Sequence, residues 1–420
     1  MTNKKNISES ILQKRINKFK SIKRGYYSLI IILSFYVLSI CAPLFFNSKA
    51  LIVKYEGEYY FPLFNYLFQS EIMEAEDLGQ FEIKGKKKYG QPHYRMLKKQ
   101  YEEEGGENWV LLTLYPYDPY EDVMSEKDEQ FFDKDDNKVW SSYCKDSNSN
   151  ELFKVFKNQE SCEGAGNIWL TEKFVDDNGN GKYDKYKYTN FPSSEHLLGT
   201  DNQGRDVLSR LVYGFNISMT FAVVCCFLSY LLGIMIGGIL GFFGGKIDLL
   251  GLRIIELYSS IPFLFLLMIL ATFIKPTVYI LAIMYVILSG WIGITWYVRG
   301  EFLREKSKDY VSAAVSMGQS HWKVMFKHIL PNSLTPIITF APFGIIGYIF
   351  ALVSLDYLGF GLQPPTPSWG ELISQGRTNL QYWHLIVAPL SALGGTLFLI
   401  TFIGEAIREA FDPKVHSRLR

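Results

Sequence analysis

Six apolar runs, each close to the length of a bilayer crossing, constrain this chain more than any other feature. They are Tyr26–Phe46, Ile217–Phe243, Ile254–Ile274, Val278–Val298, Leu334–Leu355 and Trp383–Ile403. A transmembrane helix needs ~20 consecutive apolar residues. A helix also satisfies its own backbone hydrogen bonds, which hydrocarbon cannot do. The runs predict an all-α polytopic membrane protein with about six transmembrane helices. The alternative, buried helices in a large soluble α protein, would leave more charge within such runs.

The first and second runs are separated by a different kind of sequence. Residues 47–196 hold 29 of the 42 acids and 19 of the 43 bases, a net charge of 19 − 29 = −10. The remainder has 24 bases and 13 acids, net +11. That asymmetry argues for two environments rather than one core. A block of ~150 residues can form its own domain. The expected organisation is therefore residues 1–25 as an N-terminal segment, 26–46 as the first helix and 47–196 as a large α/β or β-rich insert. A transmembrane core over 197–404 and a tail over 405–420 follow.

Lys/Arg bias orients such a chain. The first 24 residues carry eight bases against one acid, Glu9. Residues 299–332 carry Arg299, Arg304, Lys306, Lys308, Lys323 and Lys327, and the tail carries Arg408, Lys414, Arg418 and Arg420. Alternation from a cytoplasmic N-terminus places each of these segments inside and the insert outside. The first run has no convincing small-residue cleavage site after it, Cys41-Ala42-Pro43 being a poor one, so it is expected to stay as an anchor.

The insert opens with Leu51–Phe64, alternating, β-branched and aromatic, with Glu56-Gly57-Glu58 as a turn. That pattern predicts a hairpin. The charged stretch 74–107 suits either a surface helix or loose structure. Cys144 and Cys162 are the only cysteines of the insert. In an oxidising outer compartment two such cysteines pair; otherwise they are free thiols. Cys41, Cys225 and Cys226 lie in apolar runs, as packing residues.

Asp176, Asn178, Asn180 and Asp184 occupy positions 1, 3, 5 and 9 of a calcium-loop spacing, with Gly181 at the turn position and the Lys182 carbonyl as a further oxygen. Position 12 is Lys187 rather than a bidentate acid, so this would be a variant, dockerin-like loop, with Ca2+ as its ion. The competing reading is a plain Asn-Gly turn. A degraded echo lies upstream at Asp133, Asp135 and Asn137, where Lys138 replaces the glycine.

Residues Lys308–Asn332 sit between two apolar runs and read as two short helices broken at Gly318. Small Ala313 and Ala314 allow a close approach, and Lys323, Lys327 and His328 make the other side polar. In a membrane protein this suits docking onto a soluble partner. The segment resembles the EAA loop of ABC-importer permeases. Ala313, Ala314, Gly318, Leu330 and Pro331 fit that pattern, and Ser312 stands where it has Glu.

Two further stretches, His196–Gly214 and Ser354–Ile373, resemble signatures of the second permease, the "C" type, of dipeptide and oligopeptide ABC importers. Tyr55–Phe64 and Phe402–Pro413 resemble most the microcin C-type peptide importer branch. The likeness covers residues 10–65 and 190–415 and leaves out the middle of the insert. It implies an ABC type I importer permease-like fold in the bacterial cytoplasmic (inner) membrane, both termini cytoplasmic. It also implies a homologous second permease, two ATPase subunits that bind the ATP, and an extracytoplasmic substrate-binding protein, with 299–332 as the loop on which ATPase closure acts.

The chain carries no catalytic constellation, and no Gly-x-x-x-x-Gly-Lys-[Ser/Thr] by which it could hold ATP itself. Glu256, near the start of the third run, is the acid best placed to be intramembrane, and a pairing with Arg253 would account for it. Glycines and prolines of the core fit both close packing and the bends of alternating access. Two other classes remain: an ion-coupled secondary transporter, which should show inverted repeats and midplane charges, and a membrane-anchored sensor, which would need an inner signalling domain.

Overall fold

The computed structural model describes residues 11–68, 73–80, 82–83, 86–87, 90–121, 143–145, 152–153, 168–170, 174–175, 184–185 and 189–411. The chain divides into two compact units, one of residues 1–41 with 210–420 and one of Ala42–Ser209.

Two helices begin the first unit, α1 (Ile11–Ser21) and α2 (Lys23–Ile40). The second unit follows. The hairpin of β1 (Ile52–Tyr55) and β2 (Glu58–Tyr60) pairs Tyr55 with Glu58 across a two-residue turn, with Glu56 at φ 49° and Gly57 at φ 88°. Positive φ at both positions is the hairpin turn whose twist matches the strands. The turn is thus Glu56–Gly57, and Glu58 already belongs to the strand. Helix α3 (Tyr94–Glu104) falls within the stretch left open as helix or loose structure, and buries Tyr94, Leu97 and Tyr101. Strand β3 (Trp109–Leu111) pairs antiparallel with β1, giving the order β2-β1-β3. Ala50, Val53, Leu78, Leu97 and Val110 form the core beneath.

Further along this unit, Tyr143–Lys145 is the central strand between Leu152–Phe153 and Ile168–Leu170. Phe174–Val175 pairs with Asp184–Lys185. Cys144 lies in the central strand; Cys162, Asp176, Asn178, Asn180, Gly181 and Lys182 lie outside the described residues, as do Asp133, Asp135 and Asn137. Among the described residues no cluster of His, Cys, Asp and Glu could hold a metal ion.

The unit closes on a polar turn. Asp201 accepts the amides of Gln203 and Arg205 on one oxygen, at 2.9 and 3.0 Å, and the Arg205 guanidinium on the other, at 2.8 Å. Asp206 accepts the Tyr115 hydroxyl at 2.8 Å and lies 2.9 Å from His196 Nδ1, while its second oxygen takes the Ser209 amide. Both acids are fully buried. Buried carboxylates persist where hydrogen-bonding partners surround both oxygens, as here.

The first unit resumes with α4 (Val207–Phe243), α5 (Gly245–Ser259), α6 (Phe263–Phe273), α7 (Val278–Tyr285), α8 (Ile292–Lys306), α9 (Asp309–Ser316), α10 (Leu330–Tyr357), α11 (Trp369–Thr378) and α12 (His384–Phe411). Among the described residues three helical stretches are long and apolar enough to cross a membrane: Val207–Phe243, His321–Tyr357 and His384–Phe411. Two more crossings form if each bent pair is one span. Gly245–Ser259 and Phe263–Phe273 meet at 67°, and Val278–Gly290 and Ile292–Lys306 at 52°.

Both bends have local causes. Pro262 has no amide to donate and pushes the residue before it towards extended geometry. The second bend follows a π-wound turn, Val286–Gly290, a common cause of kinks. The first apolar run is the 18-residue α2, which begins with Lys23 and Arg24 and is not among the stretches that meet the length and composition of a crossing. Among the described residues the six expected runs correspond to three unbroken helices, two bent pairs and this shorter helix, of which three to five meet the length and composition of a crossing. The Arg253–Glu256 pair is present at 2.6 Å, on a largely exposed face.

Glycine spacing sets the helix contacts. A Cβ on Gly233, Gly237 or Gly241 would stand 1.9 Å from Ile294 Cγ2, 2.5 Å from the Thr295 carbonyl oxygen or 2.7 Å from the Arg299 carbonyl oxygen. Small residues every four positions thus let α4 lie directly against α8, as membrane helices do when packing alone drives association. Gly25 plays the same part between α2 and α12, where its Cβ would collide with that of Ala406.

Candidate functional site

The site is the helical hairpin from Lys306 to Leu330. Its first turn is fixed by Glu305, a buried residue, whose carboxylate accepts Lys308 Nζ at 2.7 Å and the Tyr310 hydroxyl at 2.8 Å. Burial and this carboxylate together push the Tyr310 phenol above its ordinary pKa.

Helix α9 ends at Gly318, which takes φ +75°. The Gly318 amide donates to the Val315 carbonyl at 2.9 Å and the Gln319 amide to that of Ala314 at 3.3 Å. This is the Schellman pattern, in which a left-handed residue turns the chain while satisfying the last carbonyls. The returning arm starts at His321–Lys323, continues as a π-wound turn over Val324–Ile329 and runs into α10. His328 Nε2 lies 2.7 Å from Gln319 Oε1, tying the arm to the turn.

The underside of the hairpin is core. Val311, Ala314, Val324, Met325 and Ile329 pack with Phe242, Val298, Phe302 and Ile337 of α4, α8 and α10. Lys306 Nζ donates to the Phe242 carbonyl and lies over the Phe242 ring, and His321 makes edge contacts with Phe242 and Phe243. A cation at the last carbonyls of α4 complements the negative end of its dipole. The hairpin is thus joined to three long helices at once. Arg299 of α8 in turn holds Asp248 of α5 through two hydrogen bonds.

The upper side is exposed and apolar: Val315, Met317, Trp322 and Phe326 are 48%, 72%, 56% and 50% accessible. The Trp322 and Phe326 rings stack at 5.9 Å and 12°. An exposed patch of this kind marks an interaction surface.

The residues singled out from the sequence fall on both sides. Ser312 and Ala313 face out from α9, while Ala314 is buried in the hairpin's own core. The two alanines therefore do different jobs rather than lining one contact. Gly318 makes the turn, and Leu330 and Pro331 open α10, Leu330 half-buried and Pro331 exposed. Glu305, Met317, Trp322 and Phe326 were not singled out. Large apolar residues inside a basic, polar segment were the signal available.

A second constellation ties together the two other signature stretches. Buried Arg210, near the start of α4, pairs with Glu371 of α11 and donates to the Pro365 carbonyl at 3.2 Å. Trp369 Nε1 donates to the Leu211 carbonyl at 3.0 Å. Ser368 caps α11, accepting the amides of Gly370 and Glu371, and its hydroxyl donates to Asp356, which also accepts the Leu362 amide at 2.7 Å. These residues anchor the 358–368 loop between α10 and α11.

Comparison with known proteins gives one consistent result. Residues 233–417 match the family described as "Binding-protein-dependent transport system inner membrane component". The chain is 34% identical over 403 residues to the inner membrane ABC transporter permease protein YejE of Escherichia coli, covering 96% of each chain. It is 45% identical over 217 residues to the peptidoglycan transport system permease protein YejE of Agrobacterium fabrum, over 52% of this chain and 57% of that one. With the oligopeptide transport system permease protein OppC of Haemophilus influenzae the identity is 37% over 221 residues, 52% of this chain and 70% of the relative.

Proposed function

This chain belongs to the family of inner-membrane components of binding-protein-dependent transport systems and is a permease subunit of an ABC importer for peptides; from that premise we propose that the hairpin Lys306–Leu330 is the surface through which a partner ATPase drives it. The observation that carries this is the two-sided build of the hairpin. Its exposed side offers Met317, Trp322 and Phe326 to a soluble partner. Its buried side is continuous with α4, α8 and α10. A push on the outer side therefore moves the ends of three long helices as a body.

The assembly we infer contains a homologous second permease, two ATPase subunits and an extracytoplasmic binding protein. Both termini face the cytoplasm and the insert faces outward, in the bacterial inner membrane. The Lys/Arg-rich first 24 residues and the basic hairpin support that orientation. Similarity to the Escherichia coli YejE permease along nearly the whole chain, insert included, supports placement in the microcin C-type branch of peptide importers.

Co-purification from membranes tests the reading. Wild-type protein should bring down an ATPase and show peptide-dependent ATP hydrolysis. Trp322→Glu with Met317→Glu should abolish both while leaving the permease in the membrane. Full ATPase retention by that double variant would refute the assignment.

A further inference from the structure

Between α4, α8 and α10 lies a cavity of about 250 Å³. Its lining includes Tyr230, Tyr297, Tyr348 and Phe340, with Gly293 and Gly344 as gaps in the wall. None of the lining residues carries a charge. We propose that this cavity is a substrate-contact section of the transport path, accepting the main chain of an extended peptide whatever the charge of its side chains. The proposal rests on the peptide-importer reading above.

Three observations support it. First, a lipid-facing wall within a span is ordinarily aliphatic, because an unmatched hydroxyl is costly in hydrocarbon. Here three phenols converge within spanning segments. The Tyr348 hydroxyl reaches the Gly290 carbonyl at 3.5 Å. Among the described residues those of Tyr230 and Tyr297 have no hydrogen-bond partner. They suit water or the carbonyl and amide groups of a passing peptide.

Second, the aromatic walls are held in place. Tyr297 packs edge-on against Phe340 at 4.7 Å, and Tyr348 against Tyr285 at 5.8 Å. Flat ring faces accept planar amides without regard to side chain. The volume lies below the ~300–1,000 Å³ of pockets that enclose a drug-sized ligand, so it would hold a short stretch of chain in passage rather than store a whole one.

Third, the cavity sits where the helices change course. The π-wound Val286–Gly290 and the 52° bend lie immediately before Gly293. Such turns concentrate at functional sites.

The glycines supply the test. A Cβ at Gly293 meets nothing within 4 Å, and the atoms nearest to one at Gly344 belong to Tyr230 and Tyr348, at 3.7–3.8 Å. The Cβ of Gly293→Leu therefore meets no clash, and the longer side chain starts from the cavity wall. Gly347→Leu, also with open space around its Cβ but not on the cavity wall, is the control. The complete importer is reconstituted in lipid vesicles with a mixture of tri- to hexapeptides as probe, and uptake is read by mass spectrometry. The expected result is at least a tenfold loss of uptake in Gly293→Leu for acidic, neutral and basic peptides alike, and none in Gly347→Leu. In parallel, Gly293→Cys should react with a water-soluble thiol reagent, located by peptide mapping, and the peptide mixture should slow that reaction. This second readout decides the matter if Gly293→Leu does not assemble. Wild-type uptake by an assembled Gly293→Leu importer, or a Gly293→Cys thiol that is unreactive or unprotected, would overturn the assignment alone. If the wild-type importer hydrolyses ATP but takes up no peptide of the mixture, the peptide-importer reading fails and this inference falls with it.

Discussion

Arg299 holds Asp248 in a two-pronged grip, Nε to Oδ1 at 2.5 Å and a terminal nitrogen to Oδ2 at 2.6 Å. The pair joins the first arm of one bent span, α5, to the second arm of the other, α8, and both side chains are mostly shielded. Six residues further along α8, Glu305 fixes the entry to the hairpin. Movement of the hairpin is thereby linked to α5, which has no residue in the hairpin's core cluster.

Arg299→Lys should therefore weaken the link more than a conservative exchange suggests, since an ammonium cannot reproduce the planar fork. Hydrogen bonds to charged groups are each worth ~1.5–3 kcal/mol. A double-mutant cycle with Asp248→Asn, read by thermal unfolding in detergent, should show coupling of at least ~1 kcal/mol, well above the few tenths expected of unconnected sites. Additive effects would mean that the grip has no energetic weight.

Gly318 offers a backbone test. Its φ of +75° costs a residue with a Cβ roughly 1–2 kcal/mol, although the space around it is open. Gly318→Ala should lower ATPase-coupled transport without displacing the protein from the membrane. Gly318→Asn, which tolerates this geometry better, should retain more. Gly318→Asp is expected to abolish ATPase assembly or stimulated hydrolysis. Equal activity of the Ala, Asn and Asp variants would show that the turn is not part of the coupling.

What the sequence disclosed, and what it did not, follows the range of each interaction. Runs of apolar residues and the Glu56–Gly57 turn are local, so their places could be read directly. Bends are less legible. Pro262 marks one of them, but nothing in the residue types announces the π-wound turn at Val286–Gly290. The glycines at 233, 237 and 241 could be seen as packing residues, yet their partner, the α8 backbone, could not. Ala313 and Ala314 are indistinguishable by type, and only the helical phase of α9 sends one outward and the other into the core. The Arg210–Glu371 pair spans 161 positions. Two quoted signatures contained its halves, but only the fold shows that they meet.

Arg210→Leu should prove severe. It would leave Glu371 without its cation and remove donors to the Pro365 and Thr366 carbonyls. Removing one partner of a buried pair costs ~3–5 kcal/mol. Reduced amounts of folded protein in membranes are expected, partly restored by Glu371→Met in the same chain. Unchanged yield and melting of Arg210→Leu would count against the anchor.

A disulfide between Cys144 and Cys162 is a separate expectation. Cys144 sits in the central strand, opposite Phe153 and Trp169. With 17 intervening residues, the bond would stabilise by ~3 kcal/mol on the chain-entropy account. Mass spectrometry of unreduced peptides from membranes should find them joined. Two free thiols would end the idea and weaken the placement of the insert in an oxidising compartment.

The 176–187 segment carries the calcium expectation. Val175 pairs with Asp184 and Phe174 with Lys185, so the described backbone brings together the two ends of the 176–183 segment. That closure suits both a plain turn and an ion loop. The loop reading assigns Asp176, Asn178, Asn180 and Asp184 as side-chain ligands and the Lys182 carbonyl as a further oxygen, with water or an outside acid replacing what Lys187 cannot give. The ion would offset part of the −10 charge carried by residues 47–196. Its affinity should fall in the weak extracellular range, ~10⁻⁴–10⁻³ M. Ligands that bind only the folded state raise its stability by mass action. Millimolar calcium should therefore raise the melting temperature of the purified chain, and Asp176→Ala should remove that rise without changing the melting point in chelator. Calorimetry showing the same curve with calcium and with chelator would leave the plain turn as the account of this segment.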